Sequence, residues 1–362
     1  MKTPDQTVRE GIKILERSVE KKIKSMKKND KIGVSNNPNE ISVSKNIRSE
    51  VIEPIVPRDP QLFYKYFGLL PHPFKKDSNG RPLLSPNLAP YQVEAWKYPG
   101  NLLVIKSNKV GMTTSFSLED IQSRLLPEEA GSDLLLVAQN QEMANEHIRD
   151  LKNLMRNSET CSKYLIEKPD KGLMREESSK VSVAYIRNPY NAKMPSRIIG
   201  LGASEKSVFS WKRVNKIHMS DVSLINLNSQ KDFFGGLYSR LANTNGVIKI
   251  ETIPGGTFGE VYRIYLNFMR EKLDVKMSVT KDVMDSFAED TQQISTTFNV
   301  MEVNVDDGIK AGIVNLDYIA KQRIDLSQLE FDKLYNCKFV APGNQWFKED
   351  WIKTGRYTVG EW

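Results

Sequence analysis

From Gln61 onward, short apolar runs recur with helical segments between them. They are NLLVI (101–105), DLLLVAQ (133–139), VSVAYI (181–186), RIIGLGA (197–203), KIHM (216–219), GVIKIETI (246–253) and VKMSVTKDV (275–283). Runs that are apolar at successive positions fit strands covered on both faces. Their alternation with helical segments predicts an α/β domain, a mostly parallel central sheet flanked by helices. The segment after the second run, NQEMANEHIRDLKNLMRN, reads as a helix with Met143, His147, Ile148, Leu151, Leu154 and Met155 on one side; His147 is taken as an ordinary helix residue. Residues 5–28 read as a separate helix. There Val8, Ile12, Leu15, Val19, Ile23 and Met26 recur about every 3.5 residues, a narrow stripe suited to a partner or a neighbouring subunit. Residues 29–60 are rich in Asn, Ser and Pro and read as a linker. The expected organisation is a basic helix-and-linker arm over 1–58, an α/β domain over 59–330 and a C-terminal segment over 331–362.

Composition narrows the chemistry. Two cysteines, Cys161 and Cys337, give no disulfide framework or cysteine-rich zinc site, and His72, His147 and His218 have no metal-ligand spacing. No apolar run is long enough to span a bilayer and the N-terminus lacks a signal-peptide core, so no membrane partner and a cytoplasmic setting are expected. The net charge is +7, and residues 1–31 hold ten Lys or Arg against five Asp or Glu. That concentration of positive charge fits a polyanion partner.

The stretch NLLVIKSNKVGMTTSFSL (101–118) runs from an apolar strand through a polar bend to a helix. Such a turn directs backbone N–H groups and a positive helix end at one spot, where phosphate binds. The loop residues are Lys106, Ser107, Asn108, Lys109, Val110, Gly111, Met112, Thr113 and Thr114. Thr113 or Thr114 can place a hydroxyl on a magnesium ion. The lysine usual after the glycine is absent, because Met112 stands there. Lys106, at the front of the loop, can reach back with its ammonium; Lys109, in the bend, is a second candidate that is expected to point outward. Upstream, Gln92 can hydrogen-bond an adenine edge. Downstream, KIHMSDV ends a strand in Asp221, where an acid can hold magnesium or orient an attacking water, or simply cap a helix. IKIETIPGGTFGEVYRIY takes another strand into Thr252, which can sense a γ-phosphate.

In this combination, residues 60–352 resemble the large terminase subunits of tailed phages, ATPases that drive DNA into proheads. PYQVEAW is similar to their adenine-reading glutamine motif, and KSNKVGMTT to the branch of their phosphate loop (Walker A) that carries its lysine at the front, here Lys106. LLLVAQNQEMANEHIRDLKNLM, KIHMSDVSLIN and IETIPGGTFGEVYRIY resemble the following strand and helix, the acidic strand end and the coupling segment. LEFDKLYNCKFVAPGNQWFKEDWI resembles the join to the nuclease. The resemblance implies a P-loop NTPase of the ASCE, terminase-like class with ATP and Mg2+ as cofactors. It implies double-stranded DNA, a portal ring and a small terminase subunit as partners, a homo-oligomer on the portal, and location in the host cytoplasm. Lys106, Asp221 and Thr252 are the expected catalytic residues, and Thr113 and Asp221 the expected metal ligands. Two departures stand out. The family ends its acidic strand with Asp-Glu, where this chain has Ser220-Asp221, and the chain stops at Trp362, about where a nuclease would begin. No nuclease activity is therefore expected. The rival readings are a helicase-like nucleic-acid translocase and a non-hydrolysing structural or recruitment protein that keeps the fold.

Overall fold

The computed structural model describes residues 56–167, 181–203, 211, 213–224, 230–242, 244–257, 259–273 and 298–340. The arm helix expected at 5–28, nearly all of the linker, the strand expected at 275–283 and residues 341–362 lie outside this set. The chain opens with α1 (Pro60–Phe67), whose first N–H groups are capped by the Asp59 carboxylate. A small antiparallel ribbon follows, β1 (Pro71–Lys76) and β2 (Pro82–Leu84), and then α2 (Pro90–Lys97). The main sheet begins with β3 (Leu102–Lys106), which leads into α3 (Met112–Leu125). Next come β4 (Asp133–Ala138), α4 (Gln141–Asn157), β5 (Leu165–Ile166), β6 (Val183–Asn188), β7 (Asn191–Gly202), β8 (Val214–Ser220), α5 (Gln230–Leu241), β9 (Val247–Thr252) and α6 (Gly259–Leu273). The described chain ends with β10 (Asn299–Val303), α7 (Val305–Lys310), α8 (Leu316–Asp325) and α9 (Gln328–Tyr335).

These strands form one eight-stranded sheet in the order β10-β3-β9-β8-β4-β7-β6-β5. It is parallel from β10 through β7 and antiparallel at β6 and β5. The fold is therefore α/β with a mostly parallel sheet flanked by helices. β10 was not anticipated from sequence, because NVMEV is short and carries a glutamate.

The apolar strands bury both faces. On one face Leu103, Ile105, Ile217, Met219, Ile248 and Ile250 pack with Phe233, Phe234 and Leu237 of α5 and with Val261 and Ile264 of α6. On the other, Leu134 and Leu136 meet Leu118 and Ile121 of α3 and Ile148 and Leu151 of α4. Leu102 and Val104 meet Met112 and Phe116 there, together with Phe331 and Tyr335 of α9. The period-2 alternation of a strand then has an unusual consequence in β8 and β9. The side chains that alternate with Ile217, Met219, Ile248 and Ile250 are Lys216, His218, Ser220, Lys249 and Glu251, all buried. A row of polar and ionisable groups lies on the face opposite the apolar cluster.

The buried side of α4 is Ala144, Ile148, Leu151 and Met155; Met143, His147 and Leu154 flank it, half-buried, and do not form its centre. The helix lies so close to β7 that a Cβ at Gly200 would sit 2.8 Å from the Ala144 carbonyl oxygen. Residues 56–58, assigned to the arm by sequence, pack on the domain: Val56 is buried, and the Gln122 side-chain amide donates to the carbonyls of Pro57 and Arg58. The boundary expected between residues 330 and 331 falls inside α9. Among the described residues no helix is long and apolar enough to cross a membrane.

Candidate nucleotide site

In an open α/β sheet, ligands bind beyond the carboxyl ends of the strands, and β3 lies next to β9, which lies next to β8. Register brings their tips together: Ile105 pairs with Thr252, and Ser220 with Glu251. Lys106, Asp221, Glu251 and Thr252 therefore converge because of topology, although the chain separates them widely.

The loop between β3 and α3 is held from outside. Ser107 N–H donates to the Val303 carbonyl of β10, and Asn108 N–H to the Leu334 carbonyl of α9. The Tyr91 hydroxyl donates to the Val110 carbonyl at 2.8 Å, and Gln92 Nε2 to the Gly111 carbonyl at 2.9 Å. In a trans peptide the N–H points opposite to the C=O. The Val110 carbonyl is turned toward α2, and the Gly111 carbonyl is shared between Gln92 and the Ser115 N–H of α3, so the N–H groups of Gly111 and Met112 point away from these partners. Two left-handed residues shape the bend, Lys109 at φ 67° and Gly111 at φ 72°. Met112 and Val110 are buried in the apolar cluster, Ser107 is buried, Asn108 is half-buried, and Lys109 and Thr114 are exposed. The first turn of α3 adds N–H groups without intrahelical acceptors. Gln92 also accepts from Ala89 N–H at 2.9 Å, so both ends of its amide are engaged within the protein. Its partners here are the loop and its own helix cap.

The cation that meets the acids at these strand tips is Lys106. Its ammonium lies 2.7 Å from Glu251 Oε2 and 3.3 Å from Asp221 Oδ1, and donates to Thr113 Oγ1 at 3.1 Å. Thr113 Oγ1 donates in turn to Glu251 Oε1 at 3.0 Å, and Ser220 Oγ donates to the same oxygen at 2.6 Å. Of Thr113 and Thr114, the structure brings Thr113 to the acids. Asp221 takes a left-handed backbone, φ 50°, and its N–H is tied to the Glu251 carbonyl. Such a conformation carries strain in a non-glycine residue and is tolerated best by Asp and Asn. Thr252 is buried, accepts from Ser223 N–H at 3.1 Å and donates to Ser223 Oγ at 2.9 Å. It braces the turn that follows Asp221.

Charge in this pocket is set by burial and near neighbours. Burial opposes the Lys106 ammonium, yet Glu251 and Asp221 outweigh it and hold its pKa above the ordinary lysine value. Burial also opposes the Glu251 carboxylate, but Lys106 and His218 bring its pKa down to about 2. Burial, and then Glu251, push Asp221 up; Lys106 offsets this in part. Behind Glu251 the ionic row continues under α3. His218 Nδ1 donates to Asp120 Oδ2 at 2.6 Å, and Lys216 meets both Glu119 and Asp120. Lys249 meets Glu119 and donates to the Ala95 and Trp96 carbonyls. Asp120 outweighs burial and raises His218 to about 9, so the imidazole is charged at neutral pH. Burial, and then the charge of His218, lower the pKa of His147, half-buried on α4; Glu251 and Asp221 oppose this in part.

Sequence reading did not single out Glu251, Asp120 or His218 as site residues. The signal was the alternation in KIHMSD and IKIET: ionisable residues at every second position of strands whose other positions are apolar.

No protein-family model and no curated protein matches the chain. Solved structures do. The ATPase domain of the large terminase of Thermus phage P74-26 is 12% identical with a TM-score of 0.50, over 77% of this chain and 98% of that one. The large terminase of HK97 bacteriophage is 13% identical with a TM-score of 0.51, over 78% of this chain and 55% of that one, so the chain spans about half of that terminase's length. At these identities the likeness is one of fold: this chain has the fold of the ATPase domain of phage large terminases.

Proposed function

We propose that this chain is an ATPase that drives double-stranded DNA, as in viral genome packaging, working as a homo-oligomer on a portal ring with a small terminase subunit. The observation that carries the reading is the placement of Lys106. A buried ammonium from the front of the loop faces Thr113, of the loop's helix, and Asp221, at the tip of β8. The N–H groups of Gly111 and Met112 at the start of α3 receive phosphate oxygens, and Lys106 turns from the carboxylates to the β- and γ-phosphates. Thr113 offers its hydroxyl to the ion that accompanies the nucleotide. Asp221 orients the attacking water; its raised pKa favours accepting a proton once Lys106 has moved away. Thr252 carries the state of the Asp221 turn to β9 and the Pro-Gly-Gly bend beyond it.

The residues fit magnesium. The oxygens nearest the first turn of the loop's helix are those of Thr113 and Glu251, with Asp221 beside them at Lys106, a hard set of the kind Mg2+ takes. Among the described residues, Oε2 of Glu251 and Oδ1 of Asp221 are buried without an aligned hydrogen bond. When bound, the ion would supply positive charge that offsets the charge of the phosphates.

The test is ATP hydrolysis by the full chain with and without duplex DNA. DNA-stimulated turnover supports a motor, and assembly on a portal ring separates packaging from a helicase-like translocase. The non-hydrolysing alternative is favoured by Ser220, and it is the conclusion if the chain binds ATP without turnover. DNA binding is expected to be indifferent to sequence and to weaken steeply with added salt, because backbone phosphates are what a packaging motor grips.

A further inference from the structure

We infer that Glu251 is the metal-side carboxylate of this site, taking from the neighbouring strand the role that Ser220 leaves open at the end of β8. The inference rests on the ATPase reading above. In the sequence reading Asp221 was given both the metal and the water; the geometry divides the two tasks.

Ser220 and Glu251 are register partners on adjacent parallel strands, and β9 is the strand next to the loop strand β3. A carboxylate moved from β8 to β9 comes one strand closer to the loop, and the reach of a glutamate brings it to the Thr113 hydroxyl at 3.0 Å. That hydroxyl, in the first turn of the loop's helix, is the group that meets a nucleotide's cation. An acid that already receives its hydrogen bond is therefore beside the cation's position. Ser220 is too short to ligate as an anion and instead orients the glutamate through a 2.6 Å hydrogen bond. The Glu251 carboxylate is fully buried between Lys106 and His218. Its Oε2 has no aligned hydrogen bond, and Lys106 lies against it at 2.7 Å. When Lys106 turns to the phosphates, that oxygen loses its cation, and His218, 3.9 Å from the other oxygen, is left to balance a buried carboxylate alone, which is costly. A divalent ion accompanying the nucleotide would restore that charge. Asp221 differs: its side chain is 27% exposed and sits at the mouth, which suits contact with water.

The test uses the full chain, a non-hydrolysable ATP analogue, and Mn2+ in place of Mg2+ so that bound metal is read by electron paramagnetic resonance. Glu251→Gln is expected to bind the analogue without metal as wild type does, while Mn2+ affinity falls about tenfold or more, the scale on which groups around a metal act. Adding Ser220→Asp to that variant is expected to restore Mn2+ binding, and Asp221→Asn to retain it. Glu251→Asp keeps the charge between Lys106 and His218 and withdraws the oxygens by one methylene. It is expected to fold even if Glu251→Gln does not, and to bind Mn2+ more weakly. Unchanged Mn2+ affinity in Glu251→Asp or in a folded Glu251→Gln overturns the inference, as does loss of Mn2+ binding in Asp221→Asn alone. A wild type that binds the analogue equally well with and without metal overturns the inference and leaves the nucleotide site standing. A wild type that binds no analogue overturns both.

Discussion

The hydroxyl of Ser220 donates a 2.6 Å hydrogen bond to the carboxylate of Glu251, its register partner on the adjacent parallel strand. Through that bond the strand end of β8, where the sequence shows a serine in place of an acid, is joined to an acid one strand away. The ammonium of Lys106 closes the group on its other side.

Lys106→Ala is expected to reduce ATP turnover on the order of 100-fold, the scale for loss of one preorganised charge contact to a transition state. It also leaves Glu251 facing His218 without its second cation. Lys109 is exposed on the left-handed bend, whereas the buried Lys106 meets the acids, so Lys109→Ala is expected to have a much smaller effect. Steady-state ATPase assays on the two variants decide between the lysines; normal turnover in Lys106→Ala shows that the loop takes its cation elsewhere.

Asp221→Asn is expected to lower kcat strongly while leaving nucleotide affinity within a few-fold of wild type, because a water-orienting acid acts mainly in the transition state. Thr252→Val removes the brace on the turn after Asp221 and is expected to lower kcat less. Nucleotide titrations beside turnover measurements check the split. Wild-type turnover in Asp221→Asn would reduce Asp221 to a strand-end turn residue.

His218 provides a pH signature in stability. Its folded pKa, about 9, lies above the ordinary histidine value because Asp120 and Glu251 face it, with Lys216 and Lys106 as their further partners. A raised pKa contributes stability that is fully present below the unfolded value and lost as pH rises through the folded one. The melting temperature is therefore expected to decline between about pH 6.5 and pH 9. His218→Asn is expected to be less stable at pH 6.5 and to show a flatter profile over that window. Asp120 and Glu251, both lowered to about 2, contribute in the opposite direction. Their stabilisation is present above the ordinary carboxylate range and lost as pH falls toward 2. Thermal melts across both windows read the two effects separately.

Gly200→Ala is expected to destabilise the fold by about 1–3 kcal/mol, the usual cost of overpacking. The added Cβ would lie 2.7 Å from Ile148 Cγ1 and 2.8 Å from the Ala144 carbonyl oxygen, and the latter is backbone that cannot turn aside. A melting temperature unchanged from wild type would show that α4 can lift from β7 without cost.

The sequence by itself determined the α/β class, six of the strands in the main sheet, the loop before α3 and the lysine at its front. Those features are local: an apolar run specifies a buried strand, and a polar bend with Gly111 before a helix specifies a tight strand-to-helix turn. The burial of Met112 in the cluster that holds Phe116 follows from its apolar side chain. Strand order was not local. Only the tertiary structure placed β9 between β3 and β8, and with it Glu251 beside Thr113 and Lys106, residues more than a hundred positions away. Nor does an ionisable residue in a strand reveal whether it faces water or a helix. Lys216, His218, Lys249 and Glu251 alternate with apolar neighbours as on a solvated sheet face, but α3 covers them, and Glu119 and Asp120 of that helix supply the charges that make their burial possible. The cost of removing charge from water depends on what lies within a few ångströms, and that is decided by packing between elements distant in the chain.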